Sequence, residues 1–218
     1  PTKSSAASDV YKRQFITHAH IGHYAGLMYF GREALGSKGL KVNVLPKMAN
    51  FLQSNGPWSQ LVEINNIKIQ DLNFGVNVSE LKNITITPIE VPHRDEYSET
   101  AGFIIEGKTK KALFIPDIDK WEKWDKDLKQ LVNEFDYLLL DATFYDSKEI
   151  NRDISEIPHP LVSETINLLD SLSNESKNKV YFIHMNHTNM MLNPKSNLSK
   201  YVTIKGFNIA RLGLKLDL

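Results

Sequence analysis

The stretch that decides the fold is Thr17-His18-Ala19-His20-Ile21-Gly22-His23-Tyr24-Ala25-Gly26-Leu27, three histidines in six residues behind the apolar lead Phe15-Ile16. With 7 histidines in 218 residues, a given His-x-His-x-x-His spacing arises by chance roughly 0.007 times per chain. A strand ending at Thr17 puts His18 and His20 on one side, because side chains repeat every two residues along a strand. Gly22 then lets the chain turn, and His23 opens a helix whose first turn can face the same point. Imidazole suits zinc, iron, copper and nickel, and a catalytic centre uses about three protein ligands while leaving a position open. The stretch therefore reads as a metal site.

A chain of this length makes one large domain or two small ones, and its hydrophobic share of 41% is enough to bury a sizeable core. Lys+Arg and Asp+Glu balance at 26 each, so no strong field draws it to nucleic acid or an anionic membrane. A small-molecule or peptide-derived substrate is the expected partner, and oligomeric state is not legible. The absence of cysteine excludes disulfides and thiolate ligands, which leaves nitrogen and oxygen to hold a metal. No apolar run reaches the ~18 residues of a spanning helix. Residues 1–14 are small and polar without the apolar centre of a signal peptide, so the expectation is a non-native or disordered leader, one domain over 15–218 and a cytoplasmic location.

Outward from the histidines, Tyr24, Leu27, Met28 and Leu35 recur at helical spacing up to Gly36. Leu40-Lys41-Val42-Asn43-Val44-Leu45 alternates as a strand, and 46–53 reads as a short helix. Leu61-Val62-Glu63-Ile64 and Ile67-Lys68-Ile69 flank an Asn-Asn pair and predict a hairpin. Residues 84–91 alternate again and run into Pro92-His93-Arg94-Asp95-Glu96. A second hairpin, 101–106 with 112–115, delivers Pro116-Asp117-Ile118-Asp119. The next helix is expected to carry Trp121, Trp124, Leu128, Leu131 and Phe135, with Asp119 and Glu122 as a capping box. Asp117 is thereby left as the better ligand candidate.

Tyr137-Leu138-Leu139-Leu140 is a continuous apolar run, the mark of a strand buried on both faces, and it ends in Asp141-Ala142-Thr143-Phe144. A helix follows near Leu161, after Pro158-His159-Pro160, with Ile166, Leu169 and Leu172 inward. Val180-Tyr181-Phe182-Ile183 is a strand ending in His184-Met185-Asn186-His187-Thr188-Asn189, and 202–204 and 214–216 read as edge strands. One pattern repeats: a strand, then a polar residue able to bind metal at its C-terminal end, at His18/His20/His23, His93, Asp117, Asp141 and His184. Sheet ends fix such residues in place while loops leave them open.

At this point the sequence resembles a family. Thr-His-x-His-x-x-His, His93 before Gly102-Phe103, strand-Pro-Asp at Asp117 and strand-His at His184 are similar to the ordered metal-binding motifs of the metallo-β-lactamase superfamily. The segments 91–100, 114–119 and 184–189 resemble more narrowly the bacterial PqqB-like subgroup, named for protein B of pyrroloquinoline quinone (PQQ) biosynthesis. The resemblance implies an α/β fold, an αββα sandwich that here lacks its N-terminal strands. It implies that His18, His20 and His93 hold a first metal, that Asp117 bridges, and that His23 and His184 hold a second. His159 is similar in placement to the proton-donating histidine of the phosphodiesterase branch. Gly22 stands where the superfamily usually has an aspartate that binds the second metal.

Three functions follow from that resemblance. One is a hydrolase with one or two Zn2+, where Asp117 orients a metal-activated water and His159 or His187 protonates the leaving group. Another is a non-haem Fe2+ oxygenase in PQQ biosynthesis, since His23, His184 and Asp117 are two imidazoles and one carboxylate. The third is a degenerate fold that only binds a ligand. His187 and Asn189 are further candidates to touch substrate or support His184, and Asp95 and Glu96 to support His93.

Overall fold

The structure, a computed structural model, describes residues 13–81, 83–149, 153 and 156–218. The expected leader lies mostly outside these residues, and its last two, Arg13 and Gln14, belong to the first strand. The chain divides into two compact units, residues 1–76 with 95–101, and residues 77–94 with 102–218.

In the first unit, β1 (Arg13–Phe15), β2 (Leu40–Val44) and β3 (Ile67–Asp71) form a parallel sheet in that order. The β1 strand leads into α1 (Ile21–Tyr24), which tightens into a 3-10 stretch over Ala25–Phe30. The longer helix expected to run to Gly36 does not form. Leu27 and Phe30 are buried while Met28 and Leu35 are exposed, so the apolar residues do not share the single face a straight helix would need. The helix α2 (Pro46–Ser54) has Pro46 in its first turn, where a missing N–H costs nothing, and buries Met48, Ala49 and Leu52.

The hairpin predicted across Asn65-Asn66 is replaced by helix α3 (Trp58–Glu63) followed by β3. Asn65 adopts a left-handed φ of 59°, its N–H donates to the Val62 carbonyl at 3.0 Å, and the Asn66 N–H donates to the Leu61 carbonyl at 2.8 Å. That pair of bonds is the Schellman helix stop, and asparagine tolerates its φ as it tolerates a turn's. The same two residues therefore satisfy either reading. Ile16, Leu27, Val42, Val44, Leu52 and Ile67 are buried in this unit's own core.

Among the described residues, the second unit is built on a seven-stranded sheet. Its strands are β4 (Val78–Leu81), β5 (Ile84–Glu90), β6 (Ala101–Glu106), β7 (Lys111–Ile115), β8 (Tyr137–Asp141), β9 (Val180–Ile183) and β10 (Asn208–Ile209), in the order β10-β9-β8-β7-β6-β5-β4. The β6–β7 hairpin forms as expected, with Phe103 opposite Phe114. Strands β7, β8 and β9 run parallel, pairing Ile115 with Leu140 and Asp141 with Ile183. Their C-terminal ends therefore sit side by side and deliver Asp117, Asp141 and His184 to one edge. Leu138 and Leu140 are buried and Tyr137 and Leu139 half-buried, so one face of β8 is sealed and the other partly covered.

The helix expected from Asp119 splits. A 3-10 turn covers Trp121–Lys123, and α4 (Leu128–Glu134) starts afresh at Asp127, whose carboxylate accepts from the Lys129 N–H at 2.7 Å. Asp119 instead takes the Lys120 N–H and pairs with Lys123. The indoles explain the break: Trp121 Nε1 donates to Thr165 Oγ1 and Trp124 Nε1 to the Glu90 carbonyl, two anchors on different elements that one helical turn cannot serve. Helix α5 (Val162–Leu169) buries Ile166 and Leu169 as read, with Glu164 reaching back to the Leu161 N–H at 2.9 Å. A short α6 (Asn174–Lys177) precedes β9.

The two edge strands expected in the tail are absent from the described residues. Asn197–Ile204 is helix α7, started by a Ser196 cap, and 214–216 has no regular structure. Val202 is buried against this unit's core while Ile204 is 83% exposed, a helical rather than an alternating pattern.

Candidate functional site

The first unit gathers its three histidines. His18 is buried and His20 caps the start of α1 with extended backbone, which turns the chain so that His23, one turn on, comes back over His18. The ring centroids of His18 and His20 are 4.4 Å apart and those of His18 and His23 4.2 Å. Thr17 Oγ1 lies 3.1 Å from His18 Nδ1 and 3.2 Å from His23 Nδ1. Glu96 Oε2 lies 2.9 Å from His20 Nε2. A carboxylate only accepts, so Glu96 keeps the proton on His20 Nε2 and leaves a lone pair on Nδ1, which faces His18 Nε2 at 2.8 Å. His18 Nε2 and His20 Nδ1 thus turn toward one point, where a cation bound by both lone pairs would take the place of the proton between them. The donor set fits a divalent metal.

Glu96 thus supports His20, a partner the sequence reading did not give it. Asp95, like Glu96 a candidate to support His93, accepts from Thr100 Oγ1 at 3.3 Å. Burial pushes the Asp95 carboxyl above its ordinary value. Thr17 had no role in the sequence reading. Its signal was its place as the last residue before the first histidine.

The second unit gathers His93, Asp117, Asp141, His159 and His184. The Asp119 N–H donates to the Pro92 carbonyl at 2.7 Å and ties the end of β5 to the loop after β7. His93 Nε2 consequently sits 3.3 Å from Asp117 Oδ1, with both side chains almost fully buried. Asp141 is wholly buried. Its Oδ1 accepts from the Thr143 N–H at 2.9 Å and the Thr143 hydroxyl at 2.6 Å, and its Oδ2 from the Ile118 N–H at 3.3 Å and His159 Nδ1 at 2.8 Å. His159 Nδ1 is also 3.1 Å from Asp117 Oδ1, and Asp117, Asp141 and His159 each offer a ligand atom within 4.8 Å of the others.

The electrostatics follow from these contacts. Burial alone would strip the proton from His159, but its bonds to Asp117 and Asp141 outweigh that and push its pKa up to about 9. Burial works against the Asp141 charge too, and the His159 and His184 imidazoles hold its carboxyl below the usual range. His184 is held with a left-handed φ of 58°, uncommon for a residue with a side chain, and its Nδ1 is 2.9 Å from Thr143 Oγ1.

His187, by contrast, is exposed, and its Nδ1 lies 3.2 Å from Asn186 Oδ1. Asn189 is buried and structural, donating to the Ala142 carbonyl at 2.9 Å and accepting from the Met191 N–H at 2.9 Å. The sequence reading gave Asp141 as one strand-end acid among several and missed Thr143. The signal was the Asp-x-Thr spacing, in which a hydroxyl two residues on folds back to the carboxylate.

Residues 14–185 match the Beta-lactamase superfamily domain. The chain belongs to this superfamily. Among solved structures it is similar to Zn(2+)-bound PqqB from Methylobacterium extorquens, at 20% identity and a TM-score of 0.76 over 94% of this chain and 73% of that one. It is also similar to YhfI from Bacillus subtilis, a metallo-beta-lactamase fold protein, at 16% identity and TM-score 0.65 over 97% and 83%. A third is CmlA, a diiron beta-hydroxylase from Streptomyces venezuelae, at 16% identity and TM-score 0.52 over 92% and 43%. No curated protein sequence matches the chain. The metallo-β-lactamase fold expected from the histidine motif is therefore the fold of this superfamily member, and its histidines and aspartates form clusters able to bind metal.

Proposed function

We propose that the chain is a metal-dependent hydrolase of the PqqB-like kind, acting on a small-molecule or peptide-derived substrate. In this reading His18, His20 and His93 would hold a first metal, His23 and His184 would hold a second, weaker one, and Asp117 would contribute to both. One or two bound zinc ions would supply hydroxide near neutral pH, because metal coordination brings the pKa of water to about 7.

The observation that carries the reading is His159. Hydrolysis of a substrate with a basic leaving group needs a proton donor, and this imidazole lies 2.8 Å from the buried Asp141 carboxylate and 3.1 Å from that of Asp117, whose charges favour its protonated form. Asp141 fixes the ring through Nδ1, so Nε2 is the atom that gives its proton to the leaving oxygen. Asp117 orients the nucleophile. His187 is exposed, with Asn186 Oδ1 3.2 Å from its Nδ1, and the role is assigned to His159.

A second reading is favoured by Gly22, which removes one carboxylate from the second position and leaves two imidazoles and one carboxylate, a set that suits Fe2+ and oxygen. The diiron CmlA shares the fold and is compatible with it. Elemental analysis of protein purified with and without air, followed by turnover of bis(p-nitrophenyl) phosphate and p-nitrophenyl acetate, separates the two. Stoichiometric zinc with ester turnover is expected. Iron with oxygen uptake and no hydrolysis would transfer the assignment to an oxygenase in PQQ biosynthesis. No bound metal under either condition would leave a ligand-binding module.

A further inference from the structure

Thr143 has one proton and two lone pairs to distribute among three close neighbours. Its hydroxyl is 2.6 Å from Asp141 Oδ1, 2.9 Å from His184 Nδ1 and 3.2 Å from His159 Nδ1. The proton goes to the carboxylate, which can only accept, across the shortest of the three contacts. The oxygen then has nothing left to donate, so toward both imidazoles it is an acceptor. His184 must in consequence carry its proton on Nδ1 and keep its lone pair on Nε2. The hydroxyl is itself fixed, since Thr143 is buried, its N–H is taken by the same Asp141 oxygen, and its carbonyl receives the Asn186 N–H at 3.0 Å. Thr143 thus ties the end of β8 to the loop that follows β9 both through its backbone and through its side chain. The left-handed backbone at His184 gives the arrangement a further purpose: a strained residue keeps one orientation only where its surroundings determine it.

We propose that Thr143 is a positioning residue that selects the Nδ1–H tautomer of His184 and so leaves Nε2 as its ligating atom, with Asp141 as the group that commits the Thr143 proton. The inference rests on His184 being a metal ligand for its purpose, but not for its test. Nothing in it depends on whether the bound metal serves water or oxygen.

The test compares the wild type with Thr143→Val and Thr143→Ser. The first reading is the 15N and 13C imidazole NMR signature of His184 in metal-free protein, on the neutral ring. The wild type and Thr143→Ser should show the Nδ1–H form, and Thr143→Val should show a shift toward Nε2–H. The second reading is zinc affinity by competition with a chromogenic chelator. The valine variant should bind about 10–100-fold more weakly, the usual loss when the partner of a ligating histidine is removed, and the serine variant should recover most of it. An unchanged tautomer in Thr143→Val overturns the proposal. So does a serine variant as weak as the valine one, because only the methyl group would then matter. If the wild type binds no zinc or iron, the metalloenzyme reading fails while the NMR comparison still decides the role of Thr143. Urea unfolding of both variants identifies any that fail to fold, and the serine variant, which keeps the hydroxyl, carries the decision in that event.

Discussion

At the scale of single residues, Gly22 is the departure with the sharpest consequence. A Cβ built on it meets nothing within 4 Å, so the first side-chain atom of an aspartate enters α1 without displacing a neighbour. Gly22→Asp should therefore fold normally and raise the metal bound per chain, read by elemental analysis after dialysis against limiting zinc. Unchanged stoichiometry would count against His23 and His184 as ligands. His159 gives a second prediction. Its removal in His159→Ala should cost about 10²–10⁴-fold in turnover of substrates whose leaving group needs a proton, and much less for p-nitrophenyl esters, whose leaving group departs as a stable anion. Equal losses on both would mean that His159 acts through the metal centre and not as an acid.

Between one residue and the whole lie the strands and helices that put the chemistry in place. The parallel run β7-β8-β9 is why an aspartate, a second aspartate and a histidine from distant parts of the sequence share one edge. Gly102 makes the neighbouring contact possible. A Cβ there would lie 3.2 Å from both Ile115 Cγ1 and the Phe114 carbonyl oxygen and 3.3 Å from Val91 Cγ1. Gly102→Ala should destabilise by about 1–3 kcal/mol, the usual cost of overpacking, in a urea titration with unchanged slope. Strands were legible where alternation or a continuous apolar run was long enough to exclude a helix, as in 84–91 and 137–140. Asn65-Asn66 and the tail were misread because a short segment's period is ambiguous. An αL asparagine closes a helix as readily as a hairpin, and a core offered to one side of Val202 settled the tail as a helix.

For the whole molecule, the fold's stability should be coupled to its metal. Anything that binds only the folded state stabilises it by mass action, about 2.7 kcal/mol at a free concentration 100 times Kd, which for a chain of this size is roughly 2–4 °C per kcal/mol. Thermal melts with zinc and then with excess chelator should differ by several degrees or more, and coincident melts would mean that metal contributes nothing to the native state. The balanced charge, 26 basic against 26 acidic residues, leaves no general field to guide a polyanion, and no described helix is long and apolar enough to cross a membrane. Each of the two units has its own apolar core.

The sequence by itself determined which imidazoles and carboxylates stand at strand ends, and with them the superfamily, because side-chain period and residue chemistry are local properties. What tertiary structure alone decided is how those side chains are supported. That Glu96 holds His20, that Thr17 meets two imidazoles, and that Asp141 and Thr143 together orient His159 and His184 depend on contacts across as many as 76 positions of chain. A hydrogen bond needs its partners within about 3 Å in space, and spacing along a sequence carries no record of that distance.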